Sequence, residues 1–197
     1  LVKELLNNLS FELTNSQKIS IDEISNDLCK PDRMIRLLQG DVGSGKTIVA
    51  LAGLFHVAGS LKQGAMMAPT ELLARQHYES IKDLCLKSDI NVSILTGKTK
   101  QNDREKVLND LKEGKIDIII GTHALFQEKV IFNALGLVII DEQHRFGVHQ
   151  RLSLTSKSKD YPPDILIMSA TPIPRTLELT AFGSRQVSRL LDNTKDS

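Results

Sequence analysis

The run Gly40-Asp41-Val42-Gly43-Ser44-Gly45-Lys46-Thr47 constrains this chain more than any other stretch. It follows an apolar strand-like run at 35–39 and leads into residues 47–58, which are apolar almost all round. A glycine-rich turn between a strand and a buried helix is therefore expected. The spacing is GxxxxGK[ST], and that chemistry has a physical logic. Gly40, Gly43, Ser44 and Gly45 let the backbone curl so that successive amides point at phosphate oxygens. Lys46 brings a mobile cation to the outer phosphates, and the Thr47 hydroxyl is placed to ligate magnesium. An ordinary strand-to-helix turn is the competing reading; the elements on either side favour the phosphate site.

Such a site also needs a carboxylate at the end of another buried strand. Residues 137–142, Leu-Val-Ile-Ile-Asp-Glu, supply two in succession. In this reading Asp141 holds magnesium, usually through its water shell, and Glu142 polarises the attacking water. Water activation tells against a kinase. A solvated acidic turn after a strand is the alternative.

Apolar runs rich in Ile, Leu and Val recur at 35–39, 65–68, 92–95, 116–121, 137–141 and 165–169, with helical patterns between several of them. This alternation predicts an α/β domain with a mostly parallel sheet and helices on both faces. Helices are expected over 47–58, from Thr70 and Glu71 to Leu86, and over 102–113, with Thr70 as a cap and Gly114 as a stop. The 197 residues suit one domain, and 41% hydrophobic residues supply its core. A net charge of +1 gives no global pull on a polyanion, so any nucleic-acid contact must be local. Cys29 and Cys85 have neither metal nor disulfide spacing, which fits a reducing, cytoplasmic setting. No run approaches the ~18 apolar residues of a spanning helix, and no export signal is recognisable. Loops are expected at 153–163 and 192–197. Leu at position 1 reads as the start of a fragment or a processed product.

Asp141-Glu142-Gln143-His144 is a DExH-type box, continued by Arg145-Phe146-Gly147-Val148, and Ser169-Ala170-Thr171-Pro172-Ile173-Pro174-Arg175-Thr176-Leu177 has the form of an extended helicase motif III. On these residues the chain resembles the superfamily-2 nucleic-acid helicases, and among them the bacterial RecG type. Arg36-Leu37-Leu38-Gln39 before the phosphate loop, and Gln143 in the box, favour that type over a transcription-repair coupling factor. The resemblance runs from about 13 to 188. It implies a RecA-like P-loop NTPase lobe, ATP and Mg2+ as cofactors, and an ATP-dependent DNA helicase as the complete enzyme.

The same resemblance assigns further residues. Leu13-Thr14-Asn15-Ser16-Gln17 is similar to the Q motif, where the Gln17 amide pairs with N7 and N6 of adenine; a helix-start Thr14 followed by an exposed Gln is the competing reading. Residues 68–76 resemble motif Ia, 96–100 motif Ib and 121–125 motif Ic. They nominate Pro69, Thr70, Arg75, Gly97, Thr122 and His123 for DNA-backbone contacts, past strand ends where open α/β sheets bind ligands. Capping by Thr70, a turn at Gly121, a solvated 96–100 loop and an Arg75 that only solvates a helix face are the alternatives. His144, Arg145, Ser169 and Thr171 are implied to couple nucleotide state to the DNA groove.

The resemblance divides the chain into a lead-in at 1–12, a first RecA-like helicase domain at 13–188, and a truncated or atypical tail at 189–197. Family members pair two such lobes, and the second supplies the arginine that senses the γ-phosphate. The expected partners are therefore branched or forked DNA and a second lobe, in cis or as a separate chain. No membrane partner is expected. The chain alone should hydrolyse ATP weakly. Two other readings stand beside this one: a coupling-factor or RNA-helicase lobe, and a non-catalytic nucleotide-binding remnant or regulatory module.

Overall fold

The computed structural model describes residues 1–41, 43–141, 157, 162–170 and 187–190. Its strands are β1 (Ile35–Gly40), β2 (Gln63–Met67), β3 (Val92–Leu95), β4 (Ile118–Gly121), β5 (Leu135–Asp141), β6 (Asp164–Ser169) and β7 (Val187–Leu190). The helices are α1 (Val2–Asn7), α2 (Asn15–Leu28), α3 (Lys46–Gly59), α4 (Glu71–Lys87) and α5 (Gln101–Lys112), with a 3-10 turn at His123–Phe126. The strands form one sheet in the order β3-β4-β2-β5-β6-β1-β7, and each neighbouring pair is parallel. The strand ends at Gly40, Met67, Leu95, Gly121, Asp141, Ser169 and Leu190 therefore share one edge.

Strands β2, β4 and β5 are buried along their whole lengths, as expected when both faces of a parallel sheet are covered. Alternate residues enter two cores. Leu38, Met66, Ile120, Ile139 and Met168 pack on the face covered by α2, α3 and α4. Leu37, Ala65, Ile119, Ile140 and Ile167 pack on the opposite face against Leu111 of α5, Leu125, Val130 and Phe132. Helix α3 lies between the sheet and α2, which explains its apolar residues all round. Leu51, Leu54 and Phe55 are almost wholly buried there, each contributing about 1.5–3 kcal/mol by removal from water.

The expected caps are present: Thr70 Oγ1 accepts from Leu73 N at 3.2 Å, and Gly114 ends α5 with φ +76°. Observed boundaries lie within two residues of expectation for α3, α4, α5 and most strands. Strand β2 starts two residues earlier, at Gln63, because Gln63 is a buried polar residue with its amide satisfied. Its Nε2 donates to the carbonyls of Leu111 and Ile116, and its Oε1 accepts from Ala134 N. Helix α1 and strand β7 were not anticipated, and α2 only through the competing reading of Thr14 as a helix start. Helix α1 has six residues, too few to show a period, and α2 carries only Ile21, Ile24 and two polar residues on its buried side. No helix among the described residues is long and apolar enough to cross a membrane.

Candidate nucleotide site and nucleic-acid face

The phosphate loop leaves β1 at Gly40 and enters α3 at Lys46. Ser44 N donates to Asp41 O at 3.0 Å, tightening the turn. Gly45, the residue before the helix, has φ +84° and ψ +32°, a left-handed conformation that glycine adopts without steric cost. A Cβ there would also lie 2.0 Å from Gln17 Nε2. Lys46 Nζ donates to Gly40 O at 2.6 Å, which holds the ammonium over the loop. Ser44 Oγ is buried without a hydrogen-bond partner among the described residues. An unsatisfied buried hydroxyl is costly, and a phosphate oxygen beside this loop would satisfy it.

Gln17 is buried, which corrects the alternative of an exposed Gln. Thr14 and Gln17 form a reciprocal capping box at the start of α2: Gln17 N donates to Thr14 Oγ1 and Thr14 N donates to Gln17 Oε1. Gln17 Nε2 donates to Ser44 O at 3.2 Å, tying α2 to the phosphate loop across 27 residues of chain. One amide hydrogen and one lone pair remain for a ligand. A cleft of about 670 Å3 opens beside this contact, lined by Phe11, Thr14, Gln17, Gly43, Thr47 and Leu51 among others. Sequence reasoning missed Phe11, an exposed residue that lines the cleft. An aromatic two residues before the Q-motif segment was the sequence signal that could have found it.

Asp141 closes β5, and β6 lies between β5 and β1. The β1 and β5 backbones are thus about 9–10 Å apart, two interstrand spacings. The Thr47 hydroxyl, at the start of α3, and the Asp141 carboxylate are both hard oxygen donors of the kind magnesium takes. Asp141 Oδ2 accepts from His77 Nε2 at 2.7 Å, and both side chains are largely buried, 11% and 13% exposed. His77 was not among the sequence candidates. It immediately follows the motif Ia run, and a His on the buried stripe of α4 was the available signal. Ser169 is buried at the end of β6, in register with Gln39 of β1 and one residue beyond the partner of Asp141. Glu142, His144, Arg145 and Thr171 lie outside the described residues.

The other half of the same edge carries the nucleic-acid candidates. Pro69 and Thr70 follow β2, Gly97 follows β3, and Thr122 and His123 follow β4. Thr70, Gly97 and His123 are exposed, and Pro69 and Thr122 are half-buried. Thr70 caps α4, while Thr122 accepts from Ala124 N at the start of the 3-10 turn. The 96–99 turn is held by Thr96 N donating to Thr99 Oγ1 and by Arg104 donating to Thr96 O at 2.7 Å. Arg75 is exposed and bonded to Glu71 one turn earlier, an arrangement that also serves a solvated helix face.

The DEAD/DEAH box helicase family model matches residues 14–180, and the chain belongs to that family. A helicase domain of this family implies nucleotide binding. Within the family the chain is 53% identical over 183 residues to the ATP-dependent DNA helicase RecG of Bacillus subtilis strain 168, covering 93% of this chain and 26% of the relative. It is 51% identical over 189 residues to RecG of Staphylococcus aureus strain NCTC 8325, covering 96% and 27%. A solved structure of RecG bound to a three-way DNA junction superposes with a TM-score of 0.82 at 46% identity, over 96% of this chain and 25% of that one. The DEAD-box helicase Mss116 bound to single-stranded RNA and UDP-BeF gives a TM-score of 0.74 at 18% identity, a likeness of fold alone, over 98% of this chain and 43% of that one. The chain spans about a quarter of the length of its RecG relatives.

Proposed function

We propose that this chain is the ATP-binding motor lobe of a RecG-type DNA helicase, which couples ATP hydrolysis to translocation and remodelling of branched DNA in recombination and repair. Fork reversal and branch migration of junctions are the reactions that this reading assigns to the complete enzyme. The observation that carries it is the division of one sheet edge. The ends of β1, β6 and β5 carry the nucleotide residues, and the ends of β2, β4 and β3 carry the motif Ia, Ic and Ib residues. Similarity to RecG favours this reading over a coupling-factor lobe.

In this function Gln17 reads adenine and Phe11 offers its ring to the base. The loop amides of Gly40, Gly43, Ser44 and Gly45, with Lys46, hold the phosphates. Thr47 and Asp141 hold Mg2+, which supplies charge neutralisation across the outer phosphates, while Glu142 orients the attacking water. Pro69, Thr70, Arg75, Gly97, Thr122 and His123 face the sugar-phosphate backbone, and their contacts carry no base information. His144, Arg145, Ser169 and Thr171 relay nucleotide state. Residues 13–188 form the family core, β7 beside β1 carries its edge two residues further to Leu190, and a second lobe completes the cleft in cis or as a separate chain.

A phosphate-release assay with fork DNA tests this. The 197-residue chain should turn over slowly, because an inserted arginine in related phosphoryl-transfer enzymes is worth about 10³–10⁵ in rate. Adding the matching second lobe should restore DNA-stimulated turnover, and Lys46→Ala should abolish it. Failure of the paired lobes to respond to fork DNA would refute the motor reading.

A further inference from the structure

Helix α4 turns a stripe of Ala74, His77, Ile81 and Cys85 towards the sheet, spaced three to four residues apart and continuing from its cap at Thr70, with His77 half-buried and the other three buried. Three members of that stripe are apolar and fully buried. The fourth, His77, reaches across to the end of β5 and contacts Asp141 Oδ2 at 2.7 Å. A carboxylate only accepts, so His77 Nε2 is the donor. The bond joins two elements that are not neighbours in the chain, since 64 residues separate the partners. It also joins the two halves of the sheet edge: α4 begins at the motif Ia residues after β2, and Asp141 belongs to the nucleotide half.

The geometry points to His77 as a positioning residue for the magnesium site, fixing the Asp141 carboxylate by one oxygen so that the other is presented to the metal and its water shell. This inference rests on the nucleotide-site reading above. The chemistry is general: a carboxylate free to rotate spreads its lone pairs over many directions, whereas one oxygen engaged by a largely buried donor leaves the other a defined direction. Two helical turns, about 10 Å, separate His77 from Thr70 along α4. A rigid-body shift of α4 on engaging nucleic acid at Thr70 would therefore move the Asp141 carboxylate as well.

A histidine that merely fills and satisfies the core predicts loss of stability without change in metal dependence. The two roles separate in a Mg2+ titration of fluorescent ADP binding to the 197-residue chain, with a metal-free series in chelator alongside. His77→Leu, similar in bulk and without a donor, should raise the Mg2+ concentration at half-effect by about tenfold, within the range for losing an outer-shell partner. Metal-free ADP affinity should be unchanged. His77→Gln places a nitrogen donor equally far along the side chain and should restore most of the Mg2+ response. In an Asp141→Asn background, His77→Leu should add less than twofold, because the group it orients is gone.

If thermal denaturation shows that His77→Leu does not fold, His77→Asn carries the same expectation, since its shorter amide falls short of Asp141. Wild-type Mg2+ dependence in a folded Leu or Asn variant would overturn the inference. So would an equal shift in the Asp141→Asn background. Absence of Mg2+-dependent ADP binding in the wild-type chain would instead refute the nucleotide-site reading and take this inference with it.

Discussion

Replacing Gly45 with alanine tests whether the phosphate loop works through the geometry described. Two costs arise. At φ +84° a residue with a Cβ sits in left-handed space, at about 1–2 kcal/mol. The new Cβ would lie 2.0 Å from Gln17 Nε2, and since that atom is the end of a flexible side chain, the amide swings away instead of distorting the backbone. Its bond to Ser44 O is then lost, at about 0.5–1.5 kcal/mol. The free loop can relax, whereas the phosphate-bound loop needs the left-handed turn, so the strain is expressed as lost affinity. Together these come to about 1.5–3.5 kcal/mol, roughly a 10- to 400-fold weaker binding of Mg-ADP. The steric part vanishes if Gln17 is already truncated. In a Gln17→Ala background, Gly45→Ala should therefore cost only about 5- to 30-fold. Calorimetric titration of Mg-ADP into the four proteins measures both losses. Equal losses in the two backgrounds would show that Gln17 and Gly45 do not meet as described, and no loss in either would remove the loop from the nucleotide site.

Asp141→Asn should weaken the magnesium dependence of nucleotide binding, whereas Glu142→Gln should spare binding and lower turnover of the lobe pair; equal loss of binding in both would contradict the division of roles. Thr70→Val and Thr122→Val should weaken DNA binding uniformly across sequences in a gel-shift titration, while Thr70→Ser keeps both cap and binding; a sequence-selective change would point to base readout instead. Burial, aided by the charge of Asp117, pushes the Cys85 thiol up from 9.0 to about 12. Native protein at pH 8 should therefore take one iodoacetamide label, at exposed Cys29, and a second only in urea; rapid double labelling would refute it. The sign for stability follows: the folded thiol keeps its proton where the unfolded one loses it, so Cys85's contribution is complete below pH 9 and is lost as pH rises towards 12.

The candidate nucleotide residues stand out in the sequence because their chemistry needs particular residues at fixed spacing. Glycines must make the turn, a lysine must follow, and a strand must end in a carboxylate. The sheet was legible where strands are buried on both faces, as in β5. It was less so where function or packing broke the pattern. Gln63 and Gly64 interrupt the apolar signal of β2, although Gln63 is buried and fully bonded. Strand β7 alternates buried and exposed residues at the sheet edge, with Arg189 exposed and Leu190 buried, and its last two residues read as the start of an atypical tail. Arg36 looked like part of a family signature. It is buried, bonded to Asp27 at 2.7 and 2.9 Å, to Glu23 and to Ser188 Oγ, and so joins α2, β1 and β7. Partners 152 residues apart leave no local trace in a sequence.

Parallel hydrogen-bond ladders run without a break from β3 through to β7, and this limits how the two halves of the edge can communicate. Sliding β2 against β5, the seam between the halves, would break the ladder that registers Ala65 with Val138 and Met67 with Ile140. It would also shear two packed cores whose side chains have no room to adjust. Communication by internal deformation of the sheet is therefore disfavoured, and it falls to side chains and helices above the edge. Helix α3 starts at the phosphate loop and packs across β1, β5 and β2, but its buried surroundings pin it to the sheet. Helix α4 packs on β3 and β4, keeps exposed residues along its outer side, and contacts Asp141 through His77. On the proposed reading, α4 is the one of these two helices with the looser attachment to β5, so a shift at its Thr70 end would reach Asp141 through His77.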